Sequence, residues 1–170
     1  MHLHLSWKKI ILLCFLGFLF SWGCGESKGG DSAPAFSLEE ITGETVSLED
    51  YKGQMVLLDF WATWCPPCRK SIPELIALQD KYKEQGLVVL GISMDDPNKV
   101  SDSDLAAFKK HYKINYKILK ASAEVVKDYF GKTNISIPTM FFIDSEGKIV
   151  DKHVGFMPGA IEASLKKMLS

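Results

Sequence analysis

Residues 61–68 read Trp61-Ala62-Thr63-Trp64-Cys65-Pro66-Pro67-Cys68. The run before them, residues 55–60, is almost wholly apolar and predicts a buried parallel strand. The residues after Cys65 begin with two prolines, which the first turn of a helix tolerates because the N–H group they lack would have no partner there. The sequence therefore predicts a strand–turn–helix unit with Cys65 at the N-terminus of the helix.

Two cysteines at this spacing and place favour thiol–disulfide exchange. The partial positive charge at a helix N-terminus stabilises a thiolate, and the thiolate is the species that attacks a disulfide. Cys65 is therefore the predicted nucleophile, and Cys68 is close enough to close a ring with it. Half of a zinc site is one alternative, but zinc needs four ligands and the other cysteines, Cys14 and Cys24, lie in a leader. A structural disulfide is a second alternative, although a bridge at an exposed helix end would be strained and reducible.

The segments on either side predict an α/β domain over residues 34–170. Residues 35–48 alternate around a Thr-Gly turn and predict a hairpin, and a strand at 87–93 completes a βαβ unit. A helix through residue 111 and a short strand at 118–119 follow. Further elements are predicted as a helix at 122–130, strands at 140–143 and 148–154, and a last helix near the C-terminus. The sheet should have four or five strands, and His153 should be an exposed strand residue.

The segment from Leu58 to Cys68 resembles the active-site segment of thioredoxins. Its CPPC form is similar to the TlpA/ResA-like thiol-disulfide oxidoreductases, and so is the N-terminal hairpin. The helix through residue 111 and the strand at 118–119 resemble the insertion that distinguishes these proteins from plain thioredoxin. The resemblance covers about residues 34–169 and implies a thioredoxin-like fold. It also implies that Trp64 and Pro66, which flank Cys65, belong to the surface that binds substrate.

For the Ile137-Pro138 peptide bond, the sequence and the resemblance predict different isomers. Only ~5% of X–Pro bonds in folded proteins are cis, so the sequence alone predicts a trans bond. The resemblance reverses this prediction, because residues 137–139 look like the cis-proline loop of thioredoxins. Such a loop lies against the two cysteines, and its backbone at Ile137 could pair with an extended client segment, with little dependence on client sequence.

Asp59 is unusual because aspartate is depleted in strands. Alternation places Asp59 and Trp61 on one face of the strand. One interpretation is an edge position that reaches water. The resemblance instead implies a carboxyl group buried behind the cysteines that passes protons, through water, to and from Cys68. Many TlpA-like proteins carry a glutamate where this chain has Ser71, so proton transfer would fall to Asp59 alone, with its pKa raised by burial.

The N-terminal residues predict export. Lys8 and Lys9 precede an apolar run at 10–20, as in a signal peptide over residues 1–23. Gly23-Cys24 resembles a bacterial lipoprotein processing site, which predicts lipidation at Cys24, and an uncleaved membrane anchor is the alternative. Residues 24–33 are polar and glycine-rich and predict a flexible linker. The protein would then be tethered to a membrane on the periplasmic side of a bacterial cell envelope.

The resulting hypothesis is an exported oxidoreductase that reduces disulfides in client proteins. The resemblance implies clients such as apocytochrome c and electrons from a membrane thiol carrier of the DsbD/CcdA kind, without a cofactor. The net charge of −1 gives no basic field for nucleic acid. A thiol peroxidase is the first alternative, but its signature would need proline and threonine where the chain has Leu58 and Ala62. A redox-inert binding module is the second, and two intact cysteines argue against it.

Overall fold

The computed structural model describes residues 30–169. The strands are β1 (Ser37–Glu39), β2 (Thr45–Ser47), β3 (Met55–Trp61), β4 (Leu87–Ser93), β5 (Lys117–Lys120), β6 (Thr139–Ile143) and β7 (Ile149–Val154). The helices are α1 (Pro66–Tyr82), α2 (Asp102–Tyr112), α3 (Ala123–Phe130) and α4 (Ala160–Met168). The elements predicted from the sequence are all present, with bounds that differ by a few residues.

The main sheet has five strands in the order β5-β4-β3-β6-β7. Strands β3, β4 and β5 are mutually parallel, whereas β6 pairs antiparallel with both β3 and β7. All seven residues of β3 are buried, because helices cover both faces of the sheet at its centre. This burial explains the continuous apolar run before the cysteines.

Alternate residues of β3 enter two separate cores. Leu57 and Trp61 pack with α1, α4 and both cysteines, whereas Leu58 and Phe60 pack with α3 and the N-terminal hairpin. Each large apolar side chain buried in this way contributes on the order of 2 kcal/mol. Asp59 lies on the face of Leu57 and Trp61, as the alternation predicted.

The N-terminal hairpin covers the β5 edge of the sheet. The N–H of Ile41 donates to the Ile118 carbonyl oxygen at 3.1 Å, and Glu40 forms a bridge with Leu119. The Glu40 carboxylate is buried, where it accepts the Thr42 N–H at 2.9 Å and lies 3.5 Å from Lys109 Nζ of α2. The hairpin and the insertion are therefore joined to each other, and the hairpin protects an edge that would otherwise be open.

The linker prediction needs a correction at its C-terminal end. The Ile149 N–H donates to the Asp31 carbonyl oxygen at 3.0 Å, and the Ala33 N–H donates to the Gly147 carbonyl oxygen at 2.9 Å. Residues 31–33 are thus paired with the start of β7, because backbone pairing needs no apolar side chain. The predicted signal peptide at 1–23, the predicted lipid site at Cys24 and the linker up to residue 29 lie outside the described residues.

His153 also differs from its prediction as an exposed residue. Its side chain is only 15% exposed, because α4 packs over this part of β7. The ring lies 4.8 Å from the Phe142 ring, and its Nε2 atom is 3.0 Å from Ser164 Oγ and 3.3 Å from Asp151 Oδ2. No helix between residues 30 and 169 is both long and apolar enough to cross a membrane.

Candidate active site

Cys65 and Cys68 form a disulfide at the start of α1, with their Cα atoms 5.3 Å apart. Cys65 is the N-cap residue, and Pro66 and Pro67 occupy the first two helical positions. Because neither proline has an N–H group, the first free donor of the helix is the Cys68 N–H, which lies 3.3 Å from Cys65 Sγ. The helix end is therefore arranged to stabilise negative charge on the Cys65 sulfur.

The two cysteines differ in their surroundings. Both cysteines are buried, but Cys68 has no exposed surface, whereas Cys65 is 3% exposed and lies in the chain between the exposed residues Trp64 and Pro66. Trp64 is 64% exposed, an unusual state for so large an apolar side chain. A client would thus meet Cys65 and its neighbours first.

The loop before β6 lies against Cys65. The Ile137-Pro138 bond is cis, as the resemblance implied. The Ile137 carbonyl oxygen is 3.7 Å from Cys65 Sγ. The Pro138 carbonyl oxygen accepts the Gly155 N–H at 2.8 Å, and the buried Thr139 hydroxyl donates to the Ser136 carbonyl oxygen at 2.6 Å. The loop is therefore held from both sides, with Ile137 half-buried beside the disulfide.

Asp59 is fully buried at the centre of the sheet, between Gly91 of β4 and Met140 of β6. Neither of its carboxylate oxygens has a hydrogen-bond partner among the described residues. Burial raises the pKa of Asp59 from 3.8 to about 7. The edge interpretation is wrong, because β3 is the central strand of the sheet and Asp59 has no exposed surface.

The side chain of Ser71 forms a hydrogen bond with the backbone of α1. It is fully buried, and its hydroxyl donates to the Cys68 carbonyl oxygen at 2.8 Å. A hydroxyl held in this way has no acidic proton to exchange at neutral pH. Asp59, and not Ser71, therefore carries a group that titrates near neutral pH.

Three features of this region were not predicted from the sequence. Trp61 Nε1 is buried without a hydrogen-bond partner in the part of the chain that the structure describes. Tyr116, from the insertion, is buried in the same core as Trp61 and Cys68. Gly91 pairs in register with Asp59, and a glycine inside a strand is the one signal that could have indicated a close approach here.

Exposed apolar side chains also occur on the loop before β6 and on the segment after β7. Besides Trp64, Ile135 and Met157 are more than half exposed. The segment that carries Met157 is fixed at both ends, because Gly155 is bonded to the cis-proline loop and the Gly159 N–H donates to the Glu74 carboxylate of α1 at 3.2 Å. A cavity of about 230 Å³ near Tyr51 and Ile143 is lined by none of the predicted site residues.

The sequence of this chain is similar to those of known proteins over most of its length. The sequence model of the AhpC/TSA family matches residues 29–152. The thioredoxin-like protein YneN of Bacillus subtilis (strain 168) is 40% identical over 160 residues, which cover 89% of this chain and 91% of YneN. The thiol-disulfide oxidoreductase ResA of the same strain is 33% identical over 155 residues, or 87% of this chain and 82% of ResA.

A solved structure shows the same fold. The crystal structure of a thiol:disulfide interchange protein of the thioredoxin family from Chlorobium tepidum TLS superposes with a TM-score of 0.73 at 27% identity. The match covers 85% of this chain and 99% of that one. It therefore extends over the hairpin, the sheet and the helices together.

Proposed function

Because this chain belongs to the AhpC/TSA family and is a thioredoxin-like thiol-disulfide oxidoreductase, we propose that it reduces disulfides of client proteins outside the cytoplasm. The observation that carries the proposal is the position of Cys65 Sγ. It receives the Cys68 N–H at the start of α1 and lies 3.7 Å from the Ile137 carbonyl oxygen, beside the exposed Trp64. This is a nucleophile with a stabilised anion, a partner thiol and an adjacent backbone to hold an extended substrate.

The first chemical step forms a mixed disulfide. The Cys65 thiolate of the reduced protein attacks one sulfur of the client disulfide, whose S–S bond breaks. The departing client sulfur takes a proton and becomes a thiol. Cys65 is now bonded to the client, and the electrons for the second step remain on Cys68.

The second step releases the client. The Cys68 thiol gives its proton to the Asp59 carboxylate, and the resulting thiolate attacks Cys65 Sγ. The bond between Cys65 and the client breaks, the Cys65–Cys68 disulfide forms, and the second client sulfur leaves as a thiolate, which takes a proton from solvent to become a thiol. Two electrons have passed from the protein to the client. Asp59 suits this role because a base with a pKa near 7 is partly ionised at physiological pH and accepts a proton readily.

Client binding is proposed to combine backbone pairing with apolar contact. The half-buried Ile137 would pair with an extended client segment, as in strand addition. Trp64, Pro66 and the Pro138 loop would contact apolar atoms beside the client cysteine. Both contributions tolerate many sequences, which suits a reductase with more than one client.

The setting of the reaction is part of the same proposal. Lipid on Cys24 would tether the domain to a membrane on the periplasmic side of a bacterial cell envelope, and residues 25–30 would separate them. Electrons would come from a membrane thiol carrier of the DsbD/CcdA kind, and apocytochrome c is the proposed client. The support is the signal-like N-terminal sequence and the resemblance to exported oxidoreductases.

Reduction of insulin disulfides, followed by turbidity with dithiothreitol as electron donor, tests the proposal. We expect the wild-type protein to accelerate precipitation and both Cys65→Ser and Cys68→Ser to lose most of that activity. A parallel assay follows peroxide consumption. Rapid peroxide removal without insulin reduction would replace the proposal with a thiol peroxidase, and inactivity in both assays would favour a binding module.

A further inference from the structure

Unpartnered polar groups meet in the core behind the disulfide. The two carboxylate oxygens of Asp59 and the Nε1 atom of Trp61 are buried, and none has a hydrogen-bond partner among residues 30–169. Orphaned polar atoms are rare in native interiors, and each one needs an explanation. The proposed proton transfer explains why a carboxyl group is buried at position 59, and the residues around Asp59 show what separates it from bulk water.

Because Gly91 has no side chain, the rings of Trp61 and Tyr116 can pack close to its backbone, beside Asp59. Gly91 is the register partner of Asp59 in the parallel pair β3–β4, so the two positions point to the same face of the sheet. A Cβ atom at position 91 would lie 2.8 Å from Trp61 Nε1 and 3.2 Å from Tyr116 Cε2. The indole and phenol rings therefore occupy the space that a side chain next to Asp59 would otherwise fill.

Tyr116 is supplied by the insertion and is held firmly in place. Lys113 is the C-cap residue that follows α2, and its left-handed conformation (φ 57°) turns the chain back towards the sheet. The side chain of Asn115, the residue before Tyr116, then donates to the Ile76 carbonyl oxygen of α1 at 3.2 Å. Tyr116 itself is buried in the core to which α1 contributes, and only 5% of the residue is exposed.

We propose that Tyr116 is a positioning residue for Asp59, whose ring covers the carboxyl group and separates it from bulk water. Proton exchange would then run between Asp59 and Cys68 rather than between Asp59 and solvent. This inference rests on the proposed role of Asp59 in client reduction. It gives the insertion a part in the chemistry, although the insertion carries neither cysteine.

Few of the groups near Asp59 can themselves change charge. The core on this face receives Met140 from β6 and Cys68 from α1, and β4 contributes Gly91 beside the carboxyl group. Of these neighbours only Cys68 and Tyr116 titrate. Burial, and secondly the negative charge of Asp59, raise the pKa of Tyr116 well above its ordinary value, so the phenol stays neutral when Asp59 ionises.

Titration of the Asp59 carboxyl group by ¹³C NMR in the oxidised protein tests the inference, with Asp59→Asn to assign the signal. Cys68 cannot titrate in this form because it is in the disulfide. We expect a midpoint near pH 7 in the wild type. In Tyr116→Ala the midpoint should fall by about one pH unit or more, because water then reaches the carboxylate.

Two variants serve as controls. Tyr116→Phe keeps the ring and should leave the midpoint within a few tenths of a unit, and Tyr112→Ala removes an aromatic side chain of the same insertion that stacks on Phe108 instead. An unchanged midpoint in Tyr116→Ala would overturn the inference, as would an equal shift in Tyr116→Phe. If Tyr116→Ala does not fold, Tyr116→Leu provides a second test. It removes the ring over Asp59 but keeps much of the apolar volume, and it should shift the Asp59 midpoint in the same direction.

Single-turnover kinetics distinguish a failure of the Tyr116 inference from a failure of the proposed role of Asp59. Single-turnover reduction of a disulfide peptide should show a pH step in the resolution rate that moves with the NMR midpoint in Tyr116→Ala. If Asp59→Asn resolves mixed disulfides at the wild-type rate at every pH, the proposed role of Asp59 is wrong. If Asp59→Asn removes the step but Tyr116→Ala leaves it in place, only the inference about Tyr116 is wrong.

Discussion

Asp59 shows how strongly one residue depends on its surroundings. The carboxyl group is fully buried without a cation or a hydrogen-bond donor as partner among the described residues, and burial raises its pKa to about 7. The folded state therefore holds the proton over a range in which the unfolded chain has lost it. Folding stability must fall as the pH rises from about 4, the unfolded pKa, to about 7, the folded one.

Replacement of Asp59 by asparagine should remove this dependence on pH. Near pH 4 the variant and the wild type should be about equally stable, because both side chains are then neutral. Above pH 7 the oxidised variant should be more stable by up to about 4 kcal/mol, the free energy that corresponds to the shift in pKa. Urea unfolding at pH 4, 5.5, 7 and 8 measures the difference.

Asp95→Asn provides the control for that series. The Asp95 carboxylate accepts hydrogen bonds from the Thr63 hydroxyl at 2.7 Å and the Ser93 hydroxyl at 2.9 Å. Because this carboxylate has partners, its replacement should lower stability at neutral pH by about 1 kcal/mol. Lower stability of Asp59→Asn at neutral pH would mean that Asp59 has a partner that stabilises its charge.

The two cysteines should behave differently when each is replaced alone. Cys68→Ser retains the nucleophile at the helix N-terminus but cannot resolve, so mixed disulfides with client proteins should accumulate. Cys65→Ser should trap far fewer, because Cys68 has no exposed surface and does not occupy the N-cap position that Cys65 holds. Non-reducing electrophoresis of cell extracts, with the double variant as blank, counts the trapped species, and equal trapping by the two variants would contradict the assignment.

At the scale of the element, the pairing of β3 with β4 depends on one residue without a side chain. A Cβ atom on residue 91 would lie 2.8 Å from Trp61 Nε1 and 3.2 Å from Tyr116 Cε2, and Trp61 is almost fully buried. A well-packed core has no space to accept a displaced indole ring. The glycine in β4 is therefore a packing requirement of the site rather than a weak point in the strand.

Gly91→Ala should accordingly destabilise the domain by about 1–3 kcal/mol through overpacking. Its tryptophan fluorescence should also change, because Trp61 must move. Gly43→Ala is the control, since that glycine has φ 90° and nothing within 4 Å of the added Cβ atom. Gly43→Ala should cost some stability through backbone strain while the fluorescence stays unchanged. A Gly91→Ala protein as stable as the wild type would show that the rings can yield.

At the scale of the whole molecule, the site and the point where the N-terminal segment joins the domain lie on different parts of the domain. Residues 31–33 pair with the start of β7, whereas the cysteines lie beyond the carboxyl end of β3. In β6, which runs antiparallel to β3, the cis-proline loop is at the opposite end from the turn that leads to β7. A tether that leaves from residue 31 would thus leave the cysteines free to meet clients.

Cys24→Ala tests the tether in the full-length chain. In a bacterial host that processes lipoproteins, the wild-type protein should fractionate with membranes and have the intact mass of a lipidated chain that begins at Cys24. Cys24→Ala should lose the lipid mass, and Cys14→Ala, the matched control, should keep it. A membrane-bound wild type that begins at Met1 would support an uncleaved anchor, and a soluble wild type would exclude both.

The sequence by itself determined the features that depend on neighbouring residues. The position of Cys65 at a helix N-terminus follows from the apolar run and the two prolines, and the hairpin and the insertion follow from short-range periodicity and turn residues. These signals act over a few positions, so they can be read before the chain is folded. The cis bond before Pro138 was predicted only through resemblance to a family.

Tertiary structure alone decided which of these features meet. Asp59 reads as a weak strand residue until β4 and β6 enclose it, and Tyr116 is an ordinary aromatic residue until the insertion folds over the sheet. His153 and residues 31–33 were misjudged for the same reason, because α4 and β7 contact them from far along the chain. Burial, and the pKa that burial sets, are properties of packed neighbours that no local pattern records.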